Sequence, residues 1–313
     1  MNTTSVLNHS VFSRLKLFFA LSRTPHGLLD MTTPALGALL WLGGAPAPHV
    51  VVLGIITAFA GYTAVYALND VVDYRVDKEK ISRCGVPPCA NDLDALCVRH
   101  PLAQGCLSLQ EGIAWTAGWA VVALAGAYAL SPTSALVFVL ACLAEAVYCL
   151  MLRLSYLRTF VSGAVKTAGG LAAIFAVTQN PSVVFLVVFF LWLFFWEIGG
   201  QNVPNDWADI NEDRALEAET IPVRFGAEGC ATIILGSLGL AVVLSLYLFW
   251  ATPAKLSLLY LPGALLAGGI LLLAPGYQLY RSRTPEDASA LFNKASYYPP
   301  TMFAIILLSA VLG

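Results

Sequence analysis

Two short stretches of this chain carry more carboxylate than stability alone would call for. One reads Asn69-Asp70-Val71-Val72-Asp73-Tyr74-Arg75-Val76-Asp77; the other reads Asn205-Asp206-Trp207-Ala208-Asp209-Ile210-Asn211-Glu212-Asp213. Both are N-D-x-x-D-x-x-x-D, with aspartates at i, i+3 and i+7. If a helix runs through the motif, that spacing sets all three carboxylates on one face, and the Asn joins them. Like charges placed so repel one another. One copy alone reads equally well as a solvated helix end. The same pattern repeated does not. Hard divalent cations want oxygen ligands, and Mg²⁺ is typically held by a few carboxylates together with substrate phosphates. The chemistry on offer is therefore a metal-bridged diphosphate, whose neutralisation eases the breaking of an allylic C–O bond. Apolar surroundings would suit an isoprenyl tail and keep water from the carbocation.

The elements that must position these motifs are membrane helices. Of 313 residues, 58% are hydrophobic and 12% charged, and the mean hydropathy is +0.74; a soluble domain carries roughly 25% charged residues. Apolar spans fall at 27–45, 50–68, 113–130, 135–152, 160–177, 182–200, 230–250, 257–279 and 299–313, most of them near the about 20 residues that a bilayer core requires. The expected fold is all-α: one transmembrane domain over 1–313, with nine helices around a central cavity that opens to the cytoplasmic side. All of the 17 Lys and Arg residues except Lys166 and Lys255 fall on the N-terminal side of that alternation. This asymmetry places the N-terminal segment 1–26 and the motif-bearing loops 69–112 and 201–229 in the cytoplasm. Residues 1–26 lack the pattern of a signal peptide, and 10–22 read as an interfacial helix. The lipid bilayer is the expected surroundings, in a prokaryotic cell membrane; no nucleic acid partner is expected.

At these residues the chain resembles the UbiA superfamily of intramembrane prenyltransferases. The first motif fits that family's N-D-x-x-D-x-x-x-D without change, and the second fits its D-x-x-x-D at Asp209 and Asp213, with Asp206 also matching. Further likeness lies in Arg23-Thr24-Pro25, in Pro101-Leu102-Ala103-Gln104-Gly105, and in Asp213-Arg214 through Thr220-Ile221-Pro222-Val223-Arg224-Phe225-Gly226. The resemblance implies nine helices and Mg²⁺-dependent prenyl transfer from an isoprenyl diphosphate, with an aromatic small molecule, 4-hydroxybenzoate-like or a related quinone precursor, as acceptor. Asp70, Asp73, Asp77, Asp206, Asp209 and Asp213 would be the catalytic, metal-holding residues. Arg23, Asn69, Tyr148, Arg153, Glu197, Asn202, Asn205 and Arg214 are the expected substrate-binding set. The family's Y-x-x-x-K is altered: Tyr148 is followed by Leu152 and then Arg153, whose planar fork suits phosphate. His100 stands where many members have Arg.

Glu145, Lys166 and Glu197 are ionisable groups within or beside apolar spans, and such groups mark functional sites by default. Asp30 has no assigned role, and the four histidines show no ligand spacing. Cys84, Cys89, Cys97 and Cys106 match no zinc pattern and read as reduced thiols. Two other functions fit part of the pattern. A UbiA-like terpene cyclase shares the ionisation step without an acceptor. A cation transporter would place its acidic groups near the midplane, rather than at helix exits.

Overall fold

The computed structural model describes residues 11–85 and 98–312. In chain order the helices are α1 (Val11–Leu21), α2 (Thr24–Asp30), α3 (Thr32–Leu42), α4 (Pro48–Val72), α5 (Tyr74–Cys84), α6 (Leu109–Leu130), α7 (Pro132–Leu150) and α8 (Arg158–Val177). There follow α9 (Val183–Trp196), α10 (Val203–Ala208), α11 (Ile210–Ala215), α12 (Ile221–Ala251), α13 (Tyr260–Gly268), α14 (Ala274–Ser282), α15 (Pro285–Ser296) and α16 (Tyr298–Leu312). Wider π-helical turns at Glu197–Asn202 and Gly269–Leu273 join α9 to α10 and α13 to α14.

Among the described residues, eight continuous helical rods are long and apolar enough to cross a bilayer: α4, α6, α7, α8, α9–α10, α12, α13–α14 and α15–α16. The ninth expected span, 27–45, is a helix broken after Asp30, with α2 and α3 on either side of Met31. The break has a visible use. It lets Asp30 turn into the bundle, where Lys166 meets it at 2.6 Å. The expected span 299–313 is only the second half of the rod that begins at Pro285.

Small residues set how closely the rods approach. A Cβ on Gly37 of α3 would lie 2.5 Å from the Gly170 carbonyl oxygen of α8, so these two helices touch backbone to backbone. The main core is aromatic: Phe185, Phe189, Trp192 and Trp196 of α9 pack against Ile234 and Leu238 of α12 and Tyr298 of α16. Its buried polar tips are satisfied, with Trp192 Nε1 donating to Tyr298 Oη at 3.1 Å and Trp196 Nε1 donating to the Ala295 carbonyl at 3.0 Å. Val121, Leu143, Val243 and Ile270 are exposed apolar side chains on four different rods, the lipid-facing surface that a bilayer protein needs.

Both motifs sit at helix breaks rather than on continuous helices. α4 stops at Val72 and α5 begins at Tyr74, with Asp73 between them (φ −80°, ψ 0°). α10 stops at Ala208 and α11 begins at Ile210, with Asp209 between them (φ −94°, ψ 12°). The middle aspartate is the hinge of each copy. Over the first motif lies a small second core of Leu21, Ala67, Leu102 and Leu107, which seats α1 and the 98–108 segment on the bundle end. Ser108 and Glu111 form a reciprocal cap that fixes where this segment enters α6.

Candidate functional site

The two motifs open onto one cavity of about 580 Å³ that enters the bundle from their end. Asp73 and Asp77 line one wall of its mouth, and Asp206, Asp209 and Asp213 line the other. Farther in, the walls include Leu39, Val50, Ile55, Phe138, Ala172 and Phe303, with Tyr66, Lys166 and Glu197 as a polar patch among the apolar residues.

In the first motif the flanking aspartates carry the ion pairs. His100 Nδ1 lies 2.9 Å from Asp77 Oδ2 and 3.7 Å from Asp70 Oδ1, and Arg23 Nη2 lies 3.6 Å from Asp70 Oδ1. Asn69 accepts from Arg23 at 3.1 Å and donates to Glu145 at 2.7 Å, which holds α2, α4 and α7 together at this level. His100 takes a left-handed backbone conformation (φ 55°), uncommon for a residue with a side chain and a mark of a constrained, functional turn. In the second motif the pairs fall on the middle aspartate. Lys80 Nζ lies 3.2 Å from Asp209 Oδ2, and Arg99 also bonds that oxygen. Lys80 belongs to α5, so the first motif's helix supplies the second motif's counter-charge.

The electrostatics follow from these partners. Burial, reinforced by the charge of Asp77, pushes the Asp73 carboxyl up to about 6. Burial and the charge of Asp206 push Asp213 up to about 7. Burial works the same way on Asp209, but Arg99 and Lys80 outweigh it and hold that carboxyl below its ordinary value. For His100 burial would disfavour the charge, yet Asp77 and Asp70 prevail and raise the imidazole to about 9.

These groups suit a divalent cation. Asp70, Asp77 and His100 each present a ligand atom within 4.8 Å of the others'. Across the mouth, Asp206 Oδ2 is buried without a hydrogen-bond partner. Carboxylate oxygens beside a phosphate-sized opening are a donor set for Mg²⁺, which keeps waters and shares its shell with substrate phosphate.

Most expected substrate-binding residues line this cavity: Arg23, Asn69, Tyr148, Glu197, Asn202 and Asn205. Asn202 donates to Tyr148 Oη at 2.9 Å. Arg153 and Arg214 lie elsewhere. Arg153 donates to the Leu216 carbonyl at 2.9 Å and to Glu79 at 2.7 Å, a strut on the outside of the mouth; Arg214 is exposed. Arg158 does line the cavity, buried, with its guanidinium 4.0 Å from the centre of the Tyr148 ring. Sequence reasoning missed it because it counted Arg158 only as a topology marker; its place ten residues after Tyr148, at the start of the next span, was the available signal. His100 was missed as well, because it comes far along the chain from the aspartates it joins. Lys80 and Arg99 were counted only as loop charge. Among the loop cysteines, Cys84 and Cys106 are exposed, while Cys89 and Cys97 lie outside the described residues.

The family model of the UbiA prenyltransferase family matches residues 31–305. The chain belongs to the UbiA prenyltransferase family. Solved structures share the UbiA fold at low identity. An apo UbiA homologue from Aeropyrum pernix K1 superposes with a TM-score of 0.72 at 20% identity, covering 90% of this chain and 97% of that one. A UbiA homologue from Archaeoglobus fulgidus bound to DMAPP and Mg²⁺ gives 0.65 at 15%, covering 92% and 98%. A structure described for digeranylgeranylglyceryl phosphate synthase gives 0.64 at 18%, covering 96% and 99%. No curated protein matches the chain in sequence.

Proposed function

We propose that this UbiA-family protein transfers a prenyl group from an isoprenyl diphosphate to an aromatic acceptor, with Mg²⁺ held by the two aspartate motifs, whose mouth faces the cytoplasm. The observation that carries the reading is the single cavity, carboxylate-lined at its mouth and largely apolar beyond it. The Archaeoglobus fulgidus homologue bound to DMAPP and Mg²⁺ supports it. Asp70, Asp73 and Asp77 on one side and Asp206, Asp209 and Asp213 on the other would hold the metal, which when bound neutralises diphosphate charge.

The chain's own residues do the rest. Arg158 and Arg23 both line the cavity with guanidinium groups suited to a departing diphosphate. Tyr148, held by Asn202 and lying beneath Arg158, presents an aromatic face beside the mouth, and such a face stabilises a passing carbocation as it does any cation. The apolar depth takes the prenyl tail and excludes water. An acceptor of the 4-hydroxybenzoate type, or a related quinone precursor, then attacks the allylic carbon. The test is incubation of purified protein with labelled geranyl diphosphate, Mg²⁺ and 4-hydroxybenzoate, followed by mass spectrometry. A metal-dependent prenylated ring is expected. A hydrocarbon formed without an acceptor would instead indicate cyclisation, and no product from any hydroxylated ring would sink the reading.

A further inference from the structure

Below the carboxylate mouth the cavity has a second polar tier that diphosphate chemistry does not use. Asp30 from α2, Tyr66 from α4, Lys166 from α8 and Glu197 from the π-helical turn meet there. Lys166 Nζ donates to Asp30 at 2.6 Å and to Tyr66 Oη at 2.8 Å, and Tyr66 itself bonds Asp30. Lys166 stands 3.9 Å from Glu197 Oε2, beyond hydrogen-bonding reach. Glu197 lies nine residues before Asp206, so it sits deeper along the same rod, by less than the roughly 13.5 Å that nine α-helical residues would span, because Glu197–Asn202 is the wider turn.

The tier is unbalanced in a definite way. Asp30 is met by Lys166 at 2.6 Å and faced by His26 Nε2 at 3.6 Å, while the nearest cation to Glu197 Oε2, Lys166, stands 3.9 Å away. Glu197 is 5% exposed, lines the cavity, and accepts from Ser162 at 2.8 Å through Oε1. Its Oε2 is buried and has no hydrogen-bond donor among the described residues. A buried acceptor left unmet costs free energy, and an ionisable one inside a membrane marks function by default. The turn that carries it is built for closeness. A Cβ on Gly199 would lie 2.9 Å from the Ile234 carbonyl, and one on Gly200 would lie 2.9 Å from Ala295 Cβ, so α12 and α15 wedge this segment toward the cavity. What completes Glu197 Oε2 is an O–H donor.

We infer that this tier seats the hydroxyl of the acceptor ring, with Glu197 taking its proton. The inference rests on the transferase reading above. As the allylic C–O bond breaks, its electron pair leaves with the diphosphate. Ring π electrons form the C–C bond to the prenyl carbon, and the positive charge reaches the ring hydroxyl, whose proton passes to Glu197 Oε2. The neutral dienone becomes aromatic again when the proton on the substituted carbon moves to oxygen. Depth fits the order of events, because the ring then lies between Glu197 and the diphosphate at the mouth.

The test compares wild type with Glu197→Gln, using geranyl diphosphate, Mg²⁺, hydroquinone and 4-hydroxybenzoate. In the variant kcat/KM for hydroquinone should fall at least about 100-fold. Glu197→Asp should restore part of the rate. An unchanged hydroquinone rate in Glu197→Gln overturns the inference and leaves the transferase reading standing. Failure of wild type to prenylate any hydroxylated ring overturns the transferase reading, and the inference with it. If Glu197→Gln loses geranyl diphosphate binding, Ser162→Ala decides: an acceptor-selective loss supports the tier, and a uniform loss or none overturns it.

Discussion

The two aspartate motifs share a nine-residue pattern and a helix break at the middle aspartate, yet their surroundings invert. In the first, Asp70 and Asp77 meet His100 and Arg23, while Asp73 is held up at about 6 by burial and its neighbour Asp77. In the second, Asp209 is held down by Arg99 and Lys80, while Asp213 is pushed up to about 7 by burial and Asp206. The partners, rather than the motif, create the difference. They come from α2, from α5 and from the 98–108 segment, so the pattern N-D-x-x-D-x-x-x-D does not encode them. Within one cavity the chain thus holds one middle carboxylate that is strongly ionised and another that gives up its proton only near neutrality.

The largest expected effect would show where the two motifs agree. Asp73→Asn and Asp209→Asn should each lower Mg²⁺-dependent turnover of geranyl diphosphate by at least about a thousandfold, or about 4 kcal/mol of transition-state stabilisation. The variants must elute as well-behaved species in detergent for the assay to count. Near-normal turnover in both would remove the motifs from the mechanism; loss in one alone would make the inversion functional rather than incidental. Next in size is the contrast between two arginines near the same mouth. Arg158→Met should weaken geranyl diphosphate binding about 100-fold, as expected when a buried charge-assisted contact to phosphate is lost. Arg153→Ala, which removes only an outer strut to Glu79 and Leu216, should leave that affinity unchanged. Titration calorimetry separates the two, and the reverse order would return the phosphate role to Arg153.

This contrast also marks where sequence reasoning stops. Membrane character, the long rods and both motifs were legible because hydropathy and a repeated polar pattern are local properties of the chain. The break at Met31 has a local cause that hydropathy does not weigh, since Pro34 has no N–H to give the Asp30 carbonyl, which Thr33 Oγ1 meets instead at 3.0 Å; the contact of Asp30 with Lys166 across the bundle was not legible. The continuous carboxylate face expected from i, i+3, i+7 was also wrong in detail. Each motif bends at its middle residue, and hinge angles at Asp73 and Asp209 have no signature in residue type. His100, Lys80, Arg99 and Arg158 needed tertiary structure, because each acts on a carboxylate or ring distant in sequence or on another element.

A smaller effect concerns pH. Asp73 and Asp213 must be ionised to ligate metal, and both have raised pKa values, so they take up protons as pH falls through about 7 and then about 6. Binding of Mn²⁺, used as a spectroscopic stand-in, should weaken about tenfold between pH 8 and pH 6. His100, raised to about 9, is protonated at neutrality. If it ligates, affinity should go on rising toward pH 9. A flat profile from pH 8 to pH 6 would show that neither raised carboxyl holds the ion, and a plateau above pH 8 would leave His100 as a counter-charge only.

The smallest effect is on stability, and it tests the inversion itself. Asp209 has a depressed pKa, so its contribution is present above the ordinary carboxylate range and lost as pH falls through the folded value. At pH 8 it is fully present. Asp209→Asn strips a charge partner from both Lys80 and Arg99 and loosens the tie between α5 and α11, at a cost of about 1–3 kcal/mol. Asp73 has a raised pKa, and the sign reverses. Its contribution is present below the ordinary range and is lost as pH rises through about 6, so at pH 8 its ionised form works against the fold. Asp73→Asn relieves that charge without emptying a core. In metal-free detergent solution at pH 8, Asp209→Asn should therefore melt below wild type, and Asp73→Asn should melt at or above it. At pH 5 the Asp73 advantage should shrink, since the wild-type carboxyl is then largely protonated. Equal melting of the two variants at pH 8 would mean that Lys80 and Arg99 do not set the two motifs apart, and the inversion would then be geometry without energetic consequence.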